Sequence, residues 1–164
     1  MILRTAADED LKTLISWVKD KGACQLWAGP VVRFPLTLDR LKQDIAYSKE
    51  NTFALQNTSG ELVGLGQLLP KENYRIHLAR IIVSPRQRGQ GFGKLLCRLL
   101  IDEGIKRFGQ AYFTLNVYAA NATAVNLYQK LGFNPTAAPP DSVAENDIVH
   151  MVLNHDQAKR LEAV

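Results

Sequence analysis

The stretch Arg86-Gln87-Arg88-Gly89-Gln90-Gly91-Phe92-Gly93-Lys94 has the residue types of an anion cradle. It follows the apolar run Ile81-Ile82-Val83 and a Ser84-Pro85 break, and it opens a Leu-rich helical pattern. Glycines remove side chains, so successive backbone N–H groups are free to face one point at a helix start. There, unpaired donors and the positive end of the helix dipole converge on phosphate. Arg86, Arg88 and Lys94 add positive charge. The same residues also suit a plain strand-to-helix turn, so spacing and context must decide. A Walker-type loop needs a Gly where this chain has Arg88, and a hydroxyl residue where Leu95 follows Gly93-Lys94. A dinucleotide fingerprint needs its third glycine at the position held by Lys94. Both nucleotide-loop readings fail.

A second group lies downstream, in Asn116-Val117-Tyr118-Ala119-Ala120-Asn121 and on to Tyr128 and Leu131-Gly132-Phe133. Asn121 is a good helix N-cap, and Tyr128 stands two turns along the same face. Taken singly, these residues also fit a plain cap and a core tyrosine. His77 sits in the strand that leads into the glycine loop, and an imidazole titrates near neutrality. Between Ala23 and Pro35, Trp27, Arg33 and Phe34 form an aperiodic segment rich in rigid and aromatic residues. Arg33 there has the planar donor fork that takes a carboxylate bidentately, although plain loop anchoring would use the same residues.

These groups need a scaffold, and the apolar pattern supplies one. A strand is expected over residues 2–5, then an amphipathic helix capped by Asp8 and ending near Lys21-Gly22. Residues 23–35 read as an ordered loop, and 38–48 as a second helix. Strands 52–57 and 61–69 flank the turn Thr58-Ser59-Gly60 as a hairpin, and 75–83 forms the next strand. A helix over 91–107 buries Leu95, Leu96, Leu99, Leu100 and Ile105, a strand covers 111–118, and a helix over 122–131 stops at Gly132. Pro135, Pro139 and Pro140 mark a loop, and 147–153 is the last strand. The expectation is one α/β (α+β) domain over residues 1–164, with a mixed, mostly antiparallel sheet flanked by helices.

Composition narrows the function classes. No apolar run approaches the roughly 18 residues that span a bilayer, and Met1-Ile2-Leu3-Arg4 lacks the regions of a secretory signal. Cys24 and Cys97 give neither a disulfide framework nor a metal-ligand pattern, so no metal is expected and Cys97 reads as a small core residue. A cytoplasmic location is the default expectation. The net charge of +4 is spread among 20 basic and 16 acidic residues without a basic block, which argues against nucleic acid and suits a small polyanionic cofactor.

The two groups together make the chain resemble the GNAT superfamily of N-acetyltransferases. The resemblance rests on Arg86-x-x-Gly89-x-Gly91 after Val83-x-Pro85, and on Asn121-x-x-Ala124-x-x-Leu127-Tyr128-x-x-Leu131-Gly132-Phe133 about 30 residues later. It implies an acetyl-CoA (coenzyme A) site. Backbone amides of Arg88, Gly89, Gln90, Gly91, Phe92, Gly93 and Lys94 would hold the pyrophosphate. The backbone of Ile81 and Val83 would pair with the pantetheine amides like an added strand. Asn121 would touch the cofactor, and the Tyr128 hydroxyl would lie near its sulfur. The activity implied is acetyl transfer to a primary amine of a small molecule or peptide by direct attack, with Tyr128 as general acid.

The base departs from the pattern. Relatives resembling this second signature often carry Glu where this chain has Asn116, and the strand entering the loop has no carboxylate. His77 and, less favourably, Glu72 are the remaining titratable candidates; water without a dedicated base is the alternative, with Asn116 orienting it or the acceptor. Trp27, Arg33 and Phe34 are expected to bind the acceptor, and Arg33 suggests an amine bearing a carboxylate. The expected assembly is a monomer or homodimer. The missing carboxylate base keeps open a non-catalytic acyl-CoA-binding module.

Overall fold

The computed structural model describes residues 1–142 and 146–162. Seven strands form one sheet in the order β1-β2-β3-β4-β5-β7-β6. They are β1 (Ile2–Thr5), β2 (Thr52–Gln56), β3 (Leu62–Pro70), β4 (Arg75–Val83), β5 (Tyr112–Tyr118), β6 (Asn134–Thr136) and β7 (Ile148–Leu153). The described strand pairs are antiparallel except β4 with β5. The helices are α1 (Asp8–Trp17), α2 (Lys21–Ala28), α3 (Leu38–Asp44), α4 (Phe92–Phe108), α5 (Ala122–Lys130) and α6 (His155–Glu162).

The sheet is the middle layer of three. Leu11 and Leu14 of α1, Cys24 of α2 and Leu41 of α3 pack with Ala54, Leu65 and Ile82 on one face. On the other face Leu96, Cys97, Leu100 and Ile101 of α4 and Ala158 of α6 meet Phe53, Ile76, Leu78 and Phe113. Each fully buried large apolar side chain contributes roughly 1.5–3 kcal/mol. Cys97 is a core residue as expected, and burial pushes its thiol up to about 12.

Several elements differ from the sequence expectation. The first helix stops at Trp17 instead of running to Lys21-Gly22, and its N-cap is Ala7. Asp10, not Asp8, closes that start: its carboxylate accepts the Ala7 N–H at 2.7 Å and the Arg4 guanidinium at 2.7 and 2.8 Å. Asp20 accepts the Ala23 N–H at 2.8 Å and caps α2, inside the stretch expected to be loop. Among its residues α2 fully buries Cys24 alone, so it has no apolar period to read. The helix expected to reach residue 48 ends at Asp44, because Ala46 turns left-handed at φ 47°. Pro135 sits in β6, an outermost strand of the sheet, where a missing N–H is tolerated. The final helix, α6, follows the last strand.

One irregularity and one gap position the site. Leu65 pairs with Ile82 and Gln67 with Ala79, so Arg80 and Ile81 both lie opposite Gly66 in a β-bulge, with Arg80 at φ 51°. The bulge reverses the alternation of β4: Ile76 and Leu78 face the α4 layer, whereas Ile82 faces α1 to α3. The parallel pairing of β4 with β5 ends at Leu78–Leu115, although β4 continues to Val83 and β5 to Tyr118. The strands therefore part, leaving the far end of β4 without a strand partner on that side among the described residues. Peptide groups there need another partner, either water or a ligand.

Candidate functional site

A cavity of about 350 Å³ fills the space where β4 and β5 part, within the usual range for small-ligand sites. Tyr128, Asn121, Asn116, His77, Ile81 and Trp27 line it. Residues of β4 and of the second motif group, some 50 positions apart in sequence, thus meet at one place.

Tyr128 projects from α5 and is 8% exposed, with its ring edge-on to Phe133 at 6.0 Å between centroids. Burial, reinforced by the neighbouring Cys97, pushes the phenol well above its ordinary range, so it stays protonated. No hydrogen bond to the hydroxyl is formed by the described residues. Asn121 does two things: it caps α5 by accepting the Ala124 N–H at 3.3 Å, and it forms part of the cavity wall.

Asn116 lies on β5 opposite His150 of β7, and its Oδ1 is 2.7 Å from the His150 Nδ1. This partner escaped the sequence reading because only the register of β5 with β7 reveals it. His77 is held by a contact of its Nδ1 with the Thr114 hydroxyl at 3.0 Å across the parallel pair. Burial, followed by the charges of Lys71 and Arg75, pulls His77 down to about 4. Its imidazole is therefore neutral at physiological pH and only weakly basic. Glu72 lines a neighbouring cavity instead.

The glycine loop sits beside this cavity rather than in its wall. A 3-10 turn, Pro85–Gln87, leads from β4 to Gly89 (φ 76°) and Gly91 (φ 84°), and α4 begins at Phe92. Nothing lies within 4 Å of a Cβ built at either glycine, so backbone conformation, not crowding, demands them. Gly91 is the N-cap of α4; no side chain caps the helix, and its first turn contains no acidic residue. The Leu95 N–H bonds to the Gly91 carbonyl, which leaves the amides before it facing outward as a donor set. Arg88 is exposed and its Nε donates to the Val83 carbonyl at 3.3 Å. A long ligand lying along β4 would therefore meet an edge that no described strand covers at Ile81 and Val83, with Arg88 on the Val83 carbonyl, then an anion cradle.

Of the three residues expected to bind the acceptor, only Trp27 reaches the cavity. The Arg33 guanidinium takes a carboxylate as its fork suggested, but that carboxylate is the chain's own Asp44, at 2.6 Å, with a further bond from the Arg33 N–H at 2.9 Å. Phe34 follows it in the same outer loop and is 37% exposed. Both are corrections to the sequence expectation, caused by an ion pair 11 residues apart that spacing does not reveal.

The cavity instead holds an arginine that the sequence did not distinguish from its neighbours. Arg80, at the bulge, donates from Nη1 to the Gln67 Oε1 at 2.7 Å. Gln67 is fully buried and fixed by contacts of its Nε2 with the Ile45 carbonyl (3.1 Å) and the Thr52 hydroxyl (3.0 Å).

The chain is similar to several known proteins. The family model described as the acetyltransferase (GNAT) family matches residues 20–133. The [ribosomal protein bS18]-alanine N-acetyltransferase of Escherichia coli is 49% identical over 57 residues, covering 35% of this chain and 38% of that protein. The spermidine N(1)-acetyltransferase of Vibrio cholerae is 26% identical over 137 residues, covering 81% and 78%. A spermidine N-acetyltransferase structure from the same organism, in complex with CoA and spermine, superposes with a TM-score of 0.76 at 20% identity, over 96% and 97% of the two chains. The chain spans between 38% and 61% of the length of several curated relatives it matches. Since the family match covers most of the chain, including both motif groups, the chain belongs to the GNAT acetyltransferase family.

Proposed function

We propose that this protein transfers an acetyl group from acetyl-CoA to a primary amine. The observation that carries the reading is the continuity of the opened β4 edge with the uncapped start of α4. These two features suit a ligand with amides along its length and a pyrophosphate at one end. The residues fit coenzyme A on the chain's own evidence. The donors at Gly91 to Lys94 have neither a capping side chain nor an acidic neighbour in the first turn, and the β4 edge past Leu78 lacks a strand. Acetyl-CoA, when bound, supplies an acetyl thioester already activated toward nitrogen.

The chain's own residues do the rest. Backbone amides from Arg88 to Lys94 hold the pyrophosphate, Ile81 and Val83 pair with pantetheine, and Asn121 contributes a side-chain contact. Tyr128 holds a proton in an apolar wall and donates it to the departing thiolate. The attacking nitrogen must be neutral, and a free amine near pKa 8–10 is largely protonated at pH 7, so a proton has to leave. His77, pulled down to about 4, is a weak base, and its part in this reading is to hydrogen-bond as a neutral imidazole. Water carries the proton away, and Asn116, fixed by His150, orients that water or the acceptor.

The names of the relatives share amine acetylation while differing in the amine: a ribosomal-protein alanine in one case, spermidine in another. They support the reaction class. The test is to incubate the full chain with acetyl-CoA and a panel of amines, following both thiol release and acetylated product by mass spectrometry. Product with at least one amine is expected. Cofactor binding without any product would replace the enzyme reading with an acyl-CoA-binding one.

A further inference from the structure

We propose that the acceptor is a small amine that also carries a carboxylate, as an amino acid does, and that Arg80, in the same cavity wall as Trp27, binds this carboxylate. This inference rests on the acetyltransferase reading and names the substrate class of the same site. Three observations converge on it.

The first is the charge of the cavity. Among the described residues its wall carries three cations, Lys71, Arg75 and Arg80, against one carboxylate, Asp141. That carboxylate is already committed to Arg75 at 2.7 Å, with Lys71 at 4.0 Å. His77 adds no negative charge. A polycation such as spermidine would enter a cationic wall with no free acid described to receive it, and like charges brought together in a partly dry site repel. An acceptor with a negative group is drawn in.

The second is hydrogen-bond demand. The buried side-chain polar atoms of the cavity-lining residues that lack a partner are the Arg80 Nε and the Trp27 Nε1. Both are enclosed donors, so each needs an acceptor that the described residues do not supply. The carboxylate whose charge acts on Arg80 is Asp44, and that group is held by Arg33. Of the five N–H donors of a guanidinium, the described residues engage one, through Gln67.

The third is construction. Arg80 sits in the left-handed region at φ 51°, at a β-bulge, which re-aims a side chain next to a site. A non-glycine residue in that region is strained, and such strain tends to persist where the side chain's direction has a use. Gln67, buried and pinned by Ile45 and Thr52, fixes one end of the guanidinium and leaves the rest of the fork available. A planar carboxylate is the partner that the remaining donors of the fork would take.

The experiment compares amino acids with their carboxamides as acceptors of the wild-type full chain, with spermidine and an N-terminal peptide in the same panel. The carboxylated acceptors are expected to have kcat/KM at least tenfold above their amides and above spermidine. Arg80→Gln should raise the KM for the acid at least tenfold, leave the acetyl-CoA KM within twofold, and erase the difference between acid and amide. Calorimetric titration of the N-acetylated amino-acid product into the wild type and into Arg80→Gln reads the same site without turnover. Equal use of acid and amide by the wild type, or preference for spermidine or the peptide, overturns the inference while leaving the acetyltransferase reading intact. If no amine in the panel is acetylated, the calorimetric arm decides: tenfold weaker product binding by Arg80→Gln supports the carboxylate site, and equal binding overturns it.

Discussion

Replacing Tyr128 by Phe removes one oxygen atom from a side chain that is 8% exposed and packed edge-on against Phe133 at 6.0 Å. The ring contact survives, and the described residues make no hydrogen bond to the hydroxyl that could be lost. An ordinary buried hydrogen bond contributes about 0.5–1.5 kcal/mol, so stability should change by less than about 1 kcal/mol. Catalysis should change far more. A positioned acid contributes roughly 10²- to 10⁴-fold, or about 3–5 kcal/mol of barrier. The assay is single-turnover thiol release with both substrates saturating, because product release would mask the chemical step. Affinity for CoA, measured by calorimetry, should stay within a factor of two. Burial raises the phenol, so the wild type should show no alkaline loss of rate from this group below its ordinary titration near pH 10. A Tyr128→Phe protein that turns over within threefold of wild type, with unchanged binding, would mean that solvent protonates the thiolate and that Tyr128 is a packing residue.

Two further outcomes follow from the partners of Arg33 and His77. Arg33→Ala should leave the KM of every acceptor unchanged while lowering the unfolding midpoint, since its fork serves Asp44; a tenfold rise in acceptor KM would return Arg33 to the site. His77 has a folded value near 4 against an ordinary 6.5, so the unfolded chain binds more protons between those values. Stability from this group is fully present above pH 6.5 and falls as the pH drops toward 4, by on the order of 3 kcal/mol at the limit. Urea unfolding between pH 7 and pH 4.5 should show that loss in the wild type and a smaller one in His77→Gln; parallel curves would refute it.

The parts of the fold that were legible in the sequence are those with a strong local signal. The glycine loop, the helix α4, the Asn121 cap and the strands β2 to β5 fall close to where the residues place them, although α4 fully buries Cys97 and Ile101 and leaves Leu95, Leu99 and Ile105 partly buried. The misread parts depend on partners distant in sequence or on weak periods. α2 buries one residue, and α1 owes its start to Asp10 reaching back to Ala7 and Arg4. In the site, Asn116, Asn121, Tyr128, His77 and Trp27 were legible by type and spacing and do converge. Arg33 was drawn off by Asp44, and the importance of Arg80 was hidden. Its surroundings depend on a bulge and on Gln67, which lies 13 residues earlier in β3. An arginine in a strand gives no sign of either.

Acetyl transfer by this chain requires coenzyme A to lie along β4 with its pyrophosphate at the start of α4. The unfolding midpoint of the full chain, measured against rising concentrations of acetyl-CoA, tests this. Binding to the folded state alone should raise stability by about 2.7 kcal/mol when ligand reaches roughly 100 times its dissociation constant, with the midpoint still climbing logarithmically beyond that. A midpoint that stays flat to millimolar acetyl-CoA would contradict the cofactor site, and with it the function built on it.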